Sequence, residues 1–177
     1  MSKDTMNPRP QPAPAIERRH LAACLVAAGR EAVLATAAQL GEGLTVMPLR
    51  PAESGLALMQ WRDAVQHQAF FIGEVPMSRA AVALVNHRGE RAEGGAVVMA
   101  DDAEMAQALA VLDAVLAQRW PGAEAVESLA LRGAQAREQR RAVRQAGLKR
   151  TRVDFALLAE AEAEPDARAD ESPEGHA

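Results

Sequence analysis

Few side chains in this sequence could act on a charged ligand, and they are scattered. Arg50, Arg79 and Arg152 are cations able to hold a phosphoryl group, while Glu53 and Glu74 are carboxylates able to relay a proton. A triphosphate is held by several cations together, commonly with magnesium. Here no glycine-rich loop is followed by Lys and Ser or Thr, no two cysteines have metal-ligand spacing, and no histidine pair has helical spacing. These residue types therefore predict no self-sufficient active site. A small phosphorylated ligand would need Arg79, Glu53 and Glu74 to converge on one pocket; without that, the two glutamates read as caps of a turn or bulge. Arg152 lies two residues before Asp154, which suits either an internal ion pair or a contact with a partner. His67 falls in a polar loop and reads as solvated. Cys24, the only cysteine, sits in an apolar run and reads as a small core residue in a reducing compartment.

The elements that must position these residues are legible from periodicity. Pro8, Pro10, Pro12 and Pro14 alternate through residues 1–15, so that leader is extended or disordered. Leu21, Cys24, Leu25 and Ala28 recur at helical spacing before Gly29, and a second helix over Arg30 to Leu40 closes at Gly41. Leu44 to Leu49, broken by Pro48, is at best an edge strand, and Pro51 to Gly55 reads as a turn. Leu56 to Arg62 reads as a strand apolar on both faces, hence buried on both sides or covered by helices.

Phe70 to Val85 is long for one strand, so Gly73 and Pro76 should mark a bulge or bend. Asn86-His87-Arg88-Gly89 supplies a hairpin loop, and Gly94 to Ala100 returns as the partner strand. Asp101 is placed as an N-cap with Glu104 completing a capping box. The helix it opens puts Met105, Leu109, Leu112 and Leu116 on one face and ends at Pro121-Gly122. Residues 123–148 favour helix but are poor in large apolar groups. Their arginines at 137, 140, 141 and 144 read as a solvated face or as the lining of a partner groove.

These elements predict an α+β fold: a small, mostly antiparallel sheet over about residues 44–100, packed by helices from both ends of the chain. The 177 residues divide into a disordered leader at 1–15, one domain at 16–160 with a basic C-terminal helical arm, and a disordered acidic tail at 161–177. Hydrophobic residues make up 49% but aromatics only 3%, so Leu, Val, Ala and Met must build the core. No run approaches the roughly 18 apolar residues of a membrane span, and no signal core follows the N-terminal charges, which predicts a cytoplasmic protein with no membrane association. Residues 132–152 are basic, but no aromatic side chain interleaves with the arginines and the net charge is −4, so nucleic-acid binding is disfavoured.

Four blocks carry a family resemblance. Ala52-Glu53-Ser54-Gly55-Leu56, Phe70-Phe71-Ile72-Gly73-Glu74, Ser78-Arg79-Ala80-Ala81-Val82 and Thr151-Arg152-Val153-Asp154-Phe155 stand in the order and spacing of the PhnG family. PhnG is a small subunit of the bacterial carbon–phosphorus lyase system, and the resemblance covers roughly residues 16–160. It implies an accessory role in a two-fold symmetric hetero-oligomer with PhnI-, PhnH-, PhnJ- and PhnL-like partners. In that system ribose 1-methylphosphonate 5-triphosphate is made from ATP and methylphosphonate, with adenine released. The resemblance implies no cofactor bound by this chain alone, ATP with magnesium being a substrate of the complex. It points to Glu53, Gly55, Phe71, Gly73, Glu74, Arg79, Arg152, Asp154 and Phe155 as contacts with partner or substrate, with no catalytic and no metal-binding residue. Either Phe155 fills a neighbour's pocket while Arg152 and Asp154 fix the register, or it folds back onto its own sheet. One place departs from the family pattern. Where relatives often carry Gly-Arg-Asp followed by a histidine and a glutamate, this chain has Ala100-Asp101-Asp102 with Met105 and Gln107, so no family role is carried to those positions.

Overall fold

The computed structural model describes residues 16–150. Its elements run α1 (Arg18–Ala28), α2 (Arg30–Gly41), β1 (Thr45–Arg62), β2 (Ala69–Val85), β3 (Arg91–Val98), α3 (Ala103–Ala117) and α4 (Ala123–Arg150). The three strands form one antiparallel sheet in the order β1-β2-β3, so the expected α+β architecture is what the chain adopts. Contacts divide the chain between Gln139 and Arg140. The described residues up to Gln139 belong to the first unit. The second is described here only by residues 140–150, the end of α4, all of them exposed.

β3 shows why helices can cover the sheet. Ala92, Gly94, Ala96 and Val98 alternate as buried residues with exposed Arg91, Glu93, Gly95 and Val97, the period-two signature of a strand with one covered face. α3 lies on that face, packing on β3, β2 and β1. The approach is close enough to demand glycine: a Cβ on Gly94 would stand 2.2 Å from the Ala110 carbonyl oxygen and 2.4 Å from the Ala114 nitrogen. α3 is buried nearly all round, with Met105, Leu109 and Leu112 inward as its spacing predicts, because α2 and α1 pack on it from the other side. Leu25, Val33, Leu84, Leu109, Leu112, Val126 and Leu129 are among the side chains that close this core. Cys24 is buried, as its apolar run suggests.

One charged group is part of this packing. Asp113, on α3, is 8% exposed. Arg18 grips it with two bonds, Nε to Oδ1 at 2.8 Å and Nη2 to Oδ2 at 2.7 Å, and the Gly95 N–H on the free edge of β3 donates to Oδ2 at 3.0 Å. A carboxylate taken out of water must be compensated in this way. The contact raises the pKa of Arg18, first through the hydrogen bonds and then through the charge of Asp113. It also ties the start of α1 to both α3 and the sheet edge.

Three expectations need correction. Pro51 to Gly55 is no turn: β1 runs unbroken through it, and shifts in register between Pro48 and Arg50 and between Arg50 and Glu53 absorb the extra residues. β1 is an edge strand, where proline need not break a ladder bond. Leu56 to Arg62 is not buried, since Leu56 and Leu58 are exposed. The cap of α3 is Asp102, not Asp101: Asp102 Oδ1 accepts from the Met105 N–H at 3.0 Å, and the helix begins at Ala103. By contrast the bulge expected at Gly73 is present. Pairing steps from Met59–Gly73 to Gln60–Phe71, leaving Ile72 as the extra residue, and Gly73 adopts φ +149°. The Asn86 hairpin also forms, with Asn86 Oδ1 accepting from the Arg88 and Glu90 N–H groups.

Candidate functional site

β3 pairs with β2 only from Val85 back to Ser78. Beyond Ser78, β1 and β2 continue alone as a two-stranded arm, from Gly55–Met77 out to Arg62–Ala69. The polar residues of the signature blocks sit where this arm leaves the sheet. Ser78 is fully buried and its hydroxyl is saturated. It donates to the Ala100 carbonyl at 2.7 Å and accepts from the Asp102 N–H at 2.8 Å. Since its one hydrogen is used, the Ser54 hydroxyl at 2.8 Å must be the donor in the third bond. Ser78 thereby fastens β1, the end of β3 and the cap of α3 at one point.

From Asp102 the network reaches α2. Arg30 donates through Nε to Asp102 Oδ2 at 2.7 Å and through Nη2 to Glu104. Arg30 first, and then the Met105 N–H, hold the Asp102 carboxyl below its ordinary pKa, while Arg30 itself is pushed further above its own. Three of the positions that depart from the family pattern are therefore structural here. The Ala100 carbonyl receives Ser78, Asp102 caps α3, and Met105 is buried in the core.

Glu53 and Arg79 are brought together. They are cross-strand partners, and Arg79 Nε lies 2.6 Å from Glu53 Oε1, with Arg50 Nη1 3.8 Å from the same oxygen. Glu53 thus has the basic companion that the sequence alone did not reveal, and both groups are about half exposed. Glu74 is not brought to them. Pairing from Glu74 to Arg79 is regular, so strand alternation puts the two on opposite faces of the sheet. Gly55 lies opposite Met77 at the root of the arm, Phe71 opposite Gln60 further out, and Gly73 opposite Met59 at the bulge. His67, at φ +56°, lies in the exposed loop at the tip, where Asp63 accepts from the Gln66 N–H; that bond, with others from neighbouring backbone, lowers the Asp63 pKa. Arg152, Asp154 and Phe155, and with them the proposed anchor, the leader and the acidic tail, lie outside the described residues.

A shallow depression is lined by Val46, Pro48, Arg50, Ala80, Val82 and Gln107, with one cation, Arg50, on its wall. Among the described residues no three His, Cys, Asp or Glu side chains gather to hold a metal ion, and no single helix is long and apolar enough to cross a membrane. Sequence reasoning missed Ser54, Ser78 and Arg30 as organising residues. Ser54 and Ser78 fall inside recognisable blocks, and a polar residue flanked by apolar strand was the available signal. Nothing near Arg30 in sequence announces its partners 72 and 74 residues away.

Fold and site together define a small α+β protein whose polar residues fasten strands to helices, and whose cations, among the described residues, are not gathered in one pocket. The chain belongs to the PhnG family: the family's model, described as phosphonate metabolism protein PhnG, matches residues 16–160 and so spans most of the sequence. That membership places it in phosphonate metabolism. A search of curated proteins returned no match.

Proposed function

We propose that this chain is an accessory subunit of the carbon–phosphorus lyase core complex. It supports transfer of the ribose triphosphate moiety of ATP to methylphosphonate and does not itself turn over substrate. The observation that carries this reading is the family match over residues 16–160. The geometry supports it in two ways. Arg79 is engaged by Glu53 and Glu74 lies on the other face, so the three groups that a small phosphorylated ligand would need do not converge. The depression beside Arg50 also offers too few cations for a triphosphate. ATP with magnesium then enters as a substrate held by PhnI-, PhnH-, PhnJ- or PhnL-like subunits, in a two-fold symmetric hetero-oligomer. The nucleosidase-like step belongs to the PhnI-like partner, and this chain contributes shape and contact.

Adenine release from ATP in the presence of methylphosphonate tests the reading. The purified chain should release none, the partner subunits alone should release little, and adding the chain should restore turnover. Turnover by the chain alone, or turnover by the partners that the chain leaves unchanged, would defeat the proposal.

A further inference from the structure

The arm is built unlike the rest of the sheet. Over Gly55–Arg62 and Ala69–Met77 it has two strands and, among the described residues, no covering helix and no strand paired to either outer edge, and at about 3.3 Å per residue it extends roughly 25 Å. Alternation and the bulge sort its side chains. One face presents Leu56, Leu58 and Phe71 with Glu74; the other presents Trp61 and Phe70 beyond half-buried Ala57, Met59, Val75 and Met77. The large residues on these faces, with Ile72 at the bulge, are between 48% and 69% exposed. Each then leaves on the order of 100 Å² in water, about 600 Å² together. Divided between two faces, this makes no single patch larger than an ordinary monomer carries, but a cleft covering both faces would bury a total approaching the roughly 800 Å² that each side of a stable interface buries. An exposed apolar strand pair with open edges is also a hazard that free proteins avoid.

We propose that residues 55–77 are an insertion arm, taken up by an apolar cleft in another phosphonate-pathway subunit that closes on both faces and sets a cationic group against Glu74. The inference rests on the subunit reading and adds the surface and the chemistry of its partner. Apolar residues on both faces distinguish a cleft from a second copy of this chain, because two arms stacked about a two-fold axis would each cover one face and leave the other wet. Glu74 is flanked by Leu58 and Pro76 along its rung and its face, so covering it without a cation would strand a carboxylate in an apolar site. Backbone N–H and C=O groups on the two free edges give the cleft walls hydrogen-bond partners without demanding further charge.

Full-length tagged chain is co-expressed with the PhnI-like subunit and co-purified stoichiometry is measured, alongside thermal melting and the mass of the chain expressed alone. The variants are L58N/F71N for one face, W61N/F70N for the other, and Glu74→Arg. Each should melt within a few degrees of wild type, because the altered side chains are exposed, yet recover at least tenfold less partner. Recovery equal to wild type, or loss confined to one face, overturns the cleft. A wild-type homodimer that the same changes make monomeric shows a second copy instead. A fall in melting temperature of many degrees shows that the chain covers its own arm. If wild type recovers no subunit at all, the accessory-subunit reading fails and this inference fails with it, whereas equal recovery by wild type and variants removes this inference alone.

Discussion

Ser78 carries three hydrogen bonds on one buried oxygen, and each leads to a different segment of the fold. Replacing it by alanine would leave the Ala100 carbonyl, the Asp102 N–H and the Ser54 hydroxyl without their partner. A buried group stranded in this way costs about 1–3 kcal/mol, so Ser78→Ala should destabilise the chain by about 2–3 kcal/mol. Ser54→Ala removes only one donor from an oxygen that keeps its other partners, and should cost about 0.5 kcal/mol. Urea denaturation of the two variants measures the difference; equal losses would mean that Ser78 is not the junction. Serine between apolar neighbours gave little warning of this, since the pattern fixes its face but not the carbonyl and N–H that reach it from 22 and 24 residues away.

At the scale of elements, the contact between α3 and β3 is set by two adjacent glycines with opposite surroundings. A Cβ at Gly94 would collide with α3 backbone, which cannot move aside as a flexible side chain can, whereas at Gly95 it would meet nothing nearer than the Ala80 carbonyl oxygen at 3.6 Å. Gly94→Ala should therefore cost about 3 kcal/mol or prevent folding. Gly95→Ala should be neutral within about 0.5 kcal/mol or slightly stabilising, because a less permissive residue loses less entropy on folding. Comparing their thermal unfolding checks the register of α3 on the sheet, and equal effects would contradict it. Periodicity made α1, α2, α3 and the Asn86 hairpin legible, because each buries a regular face or closes on a turn residue. It failed where tertiary context decides. Pro48 and Pro51 made β1 look broken, yet an edge strand with register shifts absorbs them. The pattern places the cap of α3 at Asp101, yet its neighbour Asp102, which Arg30 holds and which accepts from the Met105 N–H, serves. Leu56 and Leu58 looked buried because their composition suits burial, and no local pattern says whether the cover comes from the same chain.

For the whole molecule, helices from both sides of the sheet in sequence meet on α3, and the ties holding them there are ionic as well as apolar. Arg18 fixes α1 to Asp113, and Arg30 fixes α2 to Asp102. The second tie makes stability depend on acid in a definite direction. Asp102 is depressed below its ordinary value in the folded chain, by Arg30 first and by the Met105 N–H next. The folded state therefore binds its proton less readily than the unfolded state, whose carboxyl titrates near the usual value of about 3.9. The stabilisation is fully present above that pH and is lost as pH falls through the depressed folded value. Because Arg30 is well exposed, solvent screens much of the attraction, so the charge-dependent part is small. Asp102→Asn keeps an oxygen for the cap but removes the charge. At pH 7 and low salt it should be less stable than wild type, and the gap should close as the pH approaches 2. Raising salt to about 1 M at pH 7 should narrow the same gap, since screening then acts within a few ångströms. Urea unfolding of both chains at several pH values tests this directly. A gap unchanged between pH 7 and pH 2 would show that Asp102 acts through its cap alone, and that the tie between α2 and α3 does not depend on its charge.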